Sequence, residues 1–186
     1  VIMKDLDGLL GVLSTSNGDI YILDQDGTRV QKIAGDATTV VAGGNGKGDA
    51  PNQFCANFFV VTDDGTLYLP DASNHRILHW SPGASGGETV AGGNGKGSAT
   101  NQLSDPRSLY VTGAGEMYIV DSGNKRVVKW SPRATAGLVV AGGDAHHFDE
   151  PESVAIDEDG ALYVSDYSRA QVTRWGPTPG LKVSSL

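Results

Sequence analysis

A lysine flanked by glycines can help cradle a phosphate, and this chain has two: Lys47 and Lys96, in identical VAGGNGKG segments at Val41–Gly48 and Val90–Gly97. A phosphate loop needs G-x-x-x-x-G-K-(S/T) between a strand and a helix, so that backbone N–H groups and the helix start face the anion. Here glycine follows each lysine and no helical pattern comes next. The segments therefore read as turns. A shortened copy, VAGG, stands at Val140–Gly143.

The other reactive side chains read similarly. His75 and His79 are four residues apart, a zinc spacing on a helix. On a strand their Cα atoms would stand about 13 Å apart, too far to share an ion. Asp63-Asp64 and Asp157-Glu158-Asp159 offer oxygens to calcium, but they fall at hairpin turns and lack the EF-hand spacing. Asp24, Asp71 and Asp121 each precede an arginine by five residues (Arg29, Arg76, Arg126). Their recurrence favours a structural clip over a charged binding ring. Cys55 is the single cysteine, so no intrachain disulfide forms, and a buried, inert thiol is expected. No G-x-S-x-G nucleophile motif is present. No catalytic, cofactor or metal residue is expected.

These residues sit in a repeat. The phrase Gly-x-(apolar)-Tyr-(apolar)-x-Asp occurs at Gly18–Asp24, Gly65–Asp71, Gly115–Asp121 and Gly160–Asp166. Before each copy comes an apolar segment and a turn such as Asn17-Gly18 or Asp64-Gly65, suited to a hairpin because glycine accepts positive φ. After each copy comes a polar turn, a third strand (RVQKI, RILHW, RVVKW, QVTRW) and a short fourth strand, which in the last copy is LKVSS at Leu181–Ser185. Four short strands in a unit of about 40–50 residues make a propeller blade. The expected fold is all-β, a β-propeller with blades at 9–43, 56–92, 106–142 and 151–186, in one domain spanning 1–186. Trp80, Trp130 and Trp175 end the third strands and should pack between blades. The repeated NQF and NQL should plug an apolar ring between blades, with Leu6 and Phe148 at matching positions.

This grammar resembles the NHL repeat family. Pro106–Trp130 fits P-x-x-(apolar)₃…G-x-(L/M)-Y-(I/V)-x-D-x-x-N-x-R-(I/V)-x-x-W best, and Ala56–Trp80 nearly as well. Pro151–Trp175 departs with Arg169 at the Asn position and Gln171 at the Arg position. The first copy has Leu9 for proline, Gly27 for Asn and Ile33 for Trp. The resemblance implies a propeller and says little of function. Some relatives are amidating lyases with metal ligands from several blades, but no matching ligand set is found here. NHL-like rings commonly have six blades, each turning the chain by about 60°. Four blades can therefore form a tight closed ring, an open arc, or part of a larger propeller.

Composition narrows the partners. A net charge of −8 over 186 residues works against general binding to nucleic acid or to anionic membranes. The opening VIMKDLDGLL carries two aspartates and no long apolar run, unlike a signal peptide. Cysteine usage slightly favours a reducing intracellular or organellar compartment. The expected function is a non-catalytic protein-binding or scaffold module, an accessory subunit of a larger complex. The partner contacts singled out are Lys47, Lys96, Arg107, Lys125, His146 and His147. The alternatives are a metal-dependent hydrolase or lyase with its site in the channel, and a single-stranded RNA binder using Lys47, Lys96, Arg107 and Lys125.

Overall fold

The computed structural model describes residues 8–24, 26–143 and 148–177. Its strands form successive antiparallel sheets, each a simple meander. The first sheet holds β1 (Gly11–Ser14), β2 (Ile20–Asp24), β3 (Arg29–Ala34) and β4 (Ala37–Gly43). The second holds β5 (Val60–Val61), β6 (Leu67–Asp71), β7 (Arg76–Trp80) and β8 (Glu88–Gly92). The third holds β9 (Pro106–Val111), β10 (Met117–Asp121), β11 (Arg126–Trp130) and β12 (Leu138–Gly142). The fourth shows β13 (Pro151–Ile156), β14 (Ala161–Asp166) and β15 (Gln171–Pro177). The fourth strand expected at Leu181–Ser185, and the plug position Leu6, lie outside the described residues. No described helix is long and apolar enough to cross a membrane.

The hairpins form where the turn chemistry predicts. Gly18, Gly65, Gly115 and Gly160 all adopt φ between 78° and 86°, and each donates its N–H back three residues, to Thr15, Thr62, Thr112 and Asp157. The second turn is more regular than its polar sequence suggests. In the second and third sheets it is a single 3₁₀ turn, Ala72–Asn74 and Ser122–Asn124, closed by a left-handed His75 or Lys125. We call the end of each sheet that carries this second turn its upper end. The chain also leaves the fourth strand there and crosses to the next sheet.

Strand alternation gives each sheet two apolar faces. Tyr21, Leu23 and Val30 of the first sheet pack on Leu67, Leu69, Leu78 and Trp80 of the second. Ile77 of the second packs on Leu109, Met117, Ile119, Val128 and Trp130 of the third. Tyr118, Val120 and Val127 of the third pack on Val154, Leu162 and Val164 of the fourth, with Trp175 alongside. All three tryptophans thus serve inter-sheet packing. Among the described residues every core cluster joins consecutive sheets, and none joins the fourth sheet to the first.

One local expectation is corrected. Cys55 is partly exposed, with its N–H donated to Asp71, because its fully buried neighbours Phe54 and Ala56 take the inward positions.

Candidate functional site

The upper end is built from the crossing loops. Asn45 donates to the carbonyls of Gly43 and Asn52, and Gln53 donates back to Asn45; Asn94 and Gln102 repeat the pattern with Gly92, Asn101 and Asn94. The loop then turns inward and drops an apolar residue between sheets. Phe54, Leu103 and Phe148 are fully buried there. The VAGG glycine makes the space: a Cβ on Gly43 would come within 2.6 Å of the Phe54 ring, and one on Gly142 within 2.6 Å of Phe148.

The buried aspartates fasten the loop to the sheet it enters. Asp71 accepts from Cys55 N–H, Asn74 and Arg76, and Arg76 also donates to the carbonyls of Asp49, Ala50 and Gln53. Asp121 repeats this with Ser104 N–H, Asn124 and Arg126, whose guanidinium reaches Ser98, Ala99 and Gln102. Burial pushes the Asp121 carboxyl up, against the pull of Asn124, the Ser104 N–H and Arg126. The Asp–Arg pairs therefore hold the crossing loops in place.

The predicted contact residues separate into two groups. Lys47 and Lys96 are exposed on the crossing loops and make no ion pair with a described residue. Arg107, at the start of β9, pairs with Asp105 at 3.0 Å and with Glu152 on β13 at 3.3 Å. Burial works against its charge, but Asp105, Glu152 and Glu150 hold the guanidinium above its ordinary range. Lys125 pairs with Asp149 at 3.3 Å, and Asp149 also holds Arg169 at 2.8 Å. His146 and His147 lie outside the described residues. His75 accepts the Asp105 N–H through Nδ1. Burial pushes the Glu152 carboxyl up; Arg107 draws it back, while Glu150 and Asp105 add to the rise. The upper end around the starts of β9 and β13 is thus a mixed-charge surface dominated by acids. Among the described residues, no group of three or more His, Cys, Asp or Glu side chains could hold a metal ion.

An exposed apolar patch lies on the face of the fourth sheet that points away from the third. Val172 occupies the position of Val30, Ile77 and Val127, which are fully covered in their interfaces; Val172 is 65% exposed and Tyr167 76% exposed. They line a shallow groove of about 500 Å³ with Glu152, Ser165, Asp166, Ala170 and Gln171. The repeat alone identifies Val172 as an interface position; its exposure follows from what packs on the fourth sheet among the described residues.

The fold is a four-blade β-propeller-like one. Among solved structures the chain is similar to an auxiliary nutrient binding protein from Bacteroides thetaiotaomicron, at 15% identity and TM-score 0.65, covering 86% of this chain and 45% of that one. It is similar to a streptogramin B lyase at 11% identity and TM-score 0.60, covering 94% and 56%. It is also similar to a gluconolactonase from Xanthomonas campestris at 17% identity and TM-score 0.59, covering 92% and 63%. The chain spans about half the length of the solved structures it matches. No protein-family model matches the sequence, and no curated protein matches it. At these identities the likeness concerns the fold alone.

Proposed function

We propose that this chain is a non-catalytic protein-binding module, one NHL-like propeller unit over residues 1–186 that serves as an accessory subunit of a larger assembly. One observation supports it above the others. Three inter-blade interfaces seal a Val or Ile beneath a buried plug, and the fourth equivalent, Val172, is left open beside Tyr167. At the start of the first blade, Leu9 and Leu10 just before β1 and Val12 within it are also exposed. Apolar residues grouped at the two ends of a stack, rather than scattered, mark surfaces that another protein covers.

Single-stranded RNA binding has less support. Arg107 and Lys125 are neutralised by Asp105, Glu152 and Asp149, so the cations of the upper end do not form a continuous basic face. The activities of the lyase and the lactonase belong to those proteins, and 11–17% identity does not bring them to this chain.

The test is size-exclusion chromatography with light scattering on the native protein from its source cells. The expected result is an assembly well above the 19.4 kDa of this chain. Val172→Asp with Tyr167→Asp should dissolve it while leaving the melting temperature of the isolated chain unchanged. A native protein that elutes alone as a monomer overturns the proposal.

A further inference from the structure

Each blade pairs its repeated tyrosine with one residue on the neighbouring third strand: Tyr21 with Lys32, Tyr68 with His79, Tyr118 with Lys129 and Tyr163 with Arg174. In three of the four, the cation lies over the ring, at 5.7 Å for Lys32, 5.7 Å for Lys129 and 5.9 Å for Arg174. The negative face of the ring attracts the cation. Asp19 anchors Lys32 at 2.6 Å and Glu116 anchors Lys129 at 2.8 Å. The second blade breaks the pattern. His79 stands edge-to-face with Tyr68, centroids 5.2 Å apart at 71°, and Thr66 occupies the place of Asp19 and Glu116.

The space around the ring changes with it. Between the first and second blades, at their lower ends, Tyr21, Lys32, Val41, Gly65 and Pro82 line a cleft of about 210 Å³. The equivalent cleft between the second and third blades is lined by Tyr68, His79, Glu88, Val90, Met117 and Pro132, and it measures about 750 Å³. A shorter side chain replaces the lysine, and Ala114 stands where Asp64 does in the smaller cleft. The Tyr21 hydroxyl lies 2.9 Å from where a Cβ on Gly65 would sit, whereas at Gly115 only Pro132 comes within 4 Å. Tyr21 is 2% exposed, while Tyr68 is only half-buried.

We propose that this wider cleft binds a small organic cation, an alkylammonium or guanidinium with an apolar body, whose charge takes over the Tyr68 ring the place that Lys32, Lys129 and Arg174 take in the other blades. Its volume suits a small ligand. Glu88, directly across the strand pair from His79, supplies counter-charge at the wall. Asp64 is near enough that, after burial, it is the second cause holding the Tyr68 hydroxyl above its ordinary range. Val90, Met117 and Pro132 give the apolar body its surface. Arg133 also lines the cleft, so the cation sits away from it, at the Tyr68–Glu88 wall. This inference does not depend on the protein-binding role.

The test is a titration of ¹⁵N-labelled protein, followed by NMR, with n-hexylammonium chloride and separately with neutral 1-hexanol. A third arm uses Nα-acetyl-lysine methylamide, to tell a free amine from a lysine side chain. The ammonium should give saturable shifts at the amides of Tyr68, His79 and Glu88, with affinity about tenfold above that of hexanol. His79→Lys supplies a resident ammonium, as in the first and third blades, and should lower the affinity by about tenfold or more. Glu88→Gln should lower it about threefold, and serves as the deciding variant if His79→Lys does not fold. Equal affinity for hexanol, or an ammonium titration unchanged in the deciding variant, overturns the proposal.

Discussion

Four buried aspartates close the tyrosine strands, and three different sets of donors satisfy them. Asp71 and Asp121 use an asparagine, an arginine and a loop N–H. In the first blade Gly27 replaces the asparagine, and Gln31 supplies the missing donor to Asp24 at 2.6 Å, beside Arg29. In the fourth, Arg169 and Gln171 replace both partners, and Asp166 instead accepts N–H bonds from Asp149, Glu150 and Arg169. Burial pushes the Asp166 carboxyl up, but those three N–H groups together with the Arg169 charge outweigh it and hold it below the usual range. A buried carboxylate must be paired, and which partner pairs it is free to vary. Asp121→Ala leaves Arg126 buried without its counter-charge, and should cost about 3–5 kcal/mol. Asp166→Ala removes the acceptor of three backbone N–H groups and a weaker attraction to Arg169, which keeps Asp149 as its partner, and should cost about 1–3 kcal/mol. Urea unfolding of the two variants measures the difference, and equal losses would show that the arginine contributes nothing.

The crossing segment works as one element: a glycine at positive φ, a polar loop closed by Asn and Gln, and an apolar plug. Its repetition was readable from the sequence, because the same residue types recur at the same place in each copy. Its division of labour was not. Glycine there is expected to allow a sharp turn and a close approach; the structure identifies an approaching group as the plug ring, which lies against the α-carbons of Gly43 and Gly142. That contact joins residues eleven apart (Gly43 and Phe54) or six apart (Gly142 and Phe148) and a neighbouring sheet, which one-dimensional spacing does not display. Phe148→Ala should cost about 3–5 kcal/mol by opening a cavity between the third and fourth blades. Phe148→Leu should cost about 1 kcal/mol, since Leu103 fills the same role one blade earlier. Thermal and urea unfolding of the pair decide whether the plug acts through its volume.

At the scale of the molecule, the blades form a stack in which each touches mainly its neighbours, so stability is distributed by position. The second and third blades have core clusters on both faces, while the first and fourth have one described cluster each. Hydrogen exchange should therefore be slowest at the amides of β6 and β10 and fastest at those of β1 and β15. Uniform protection across all four blades would mean that the ends are sealed as well as the middle. The same uneven burial leaves Val172 and Tyr167 open, and it is why the ends, more than the charged loops, are the surface proposed for a partner.

Local chemistry was sufficient to determine the hairpins, the strand periodicity and the four-fold copying, because turn propensity and alternation act over a few residues. The candidate contacts Lys47, Lys96, Arg107 and Lys125 could be named from charge alone. Only the tertiary structure decided that two of them are spent on Asp105, Glu152 and Asp149, and that one inter-blade cleft is more than three times the volume of its equivalent. Both outcomes depend on which side chains from separate blades meet, and repeat spacing is blind to the exchange of one lysine for a histidine until the neighbouring face is in place.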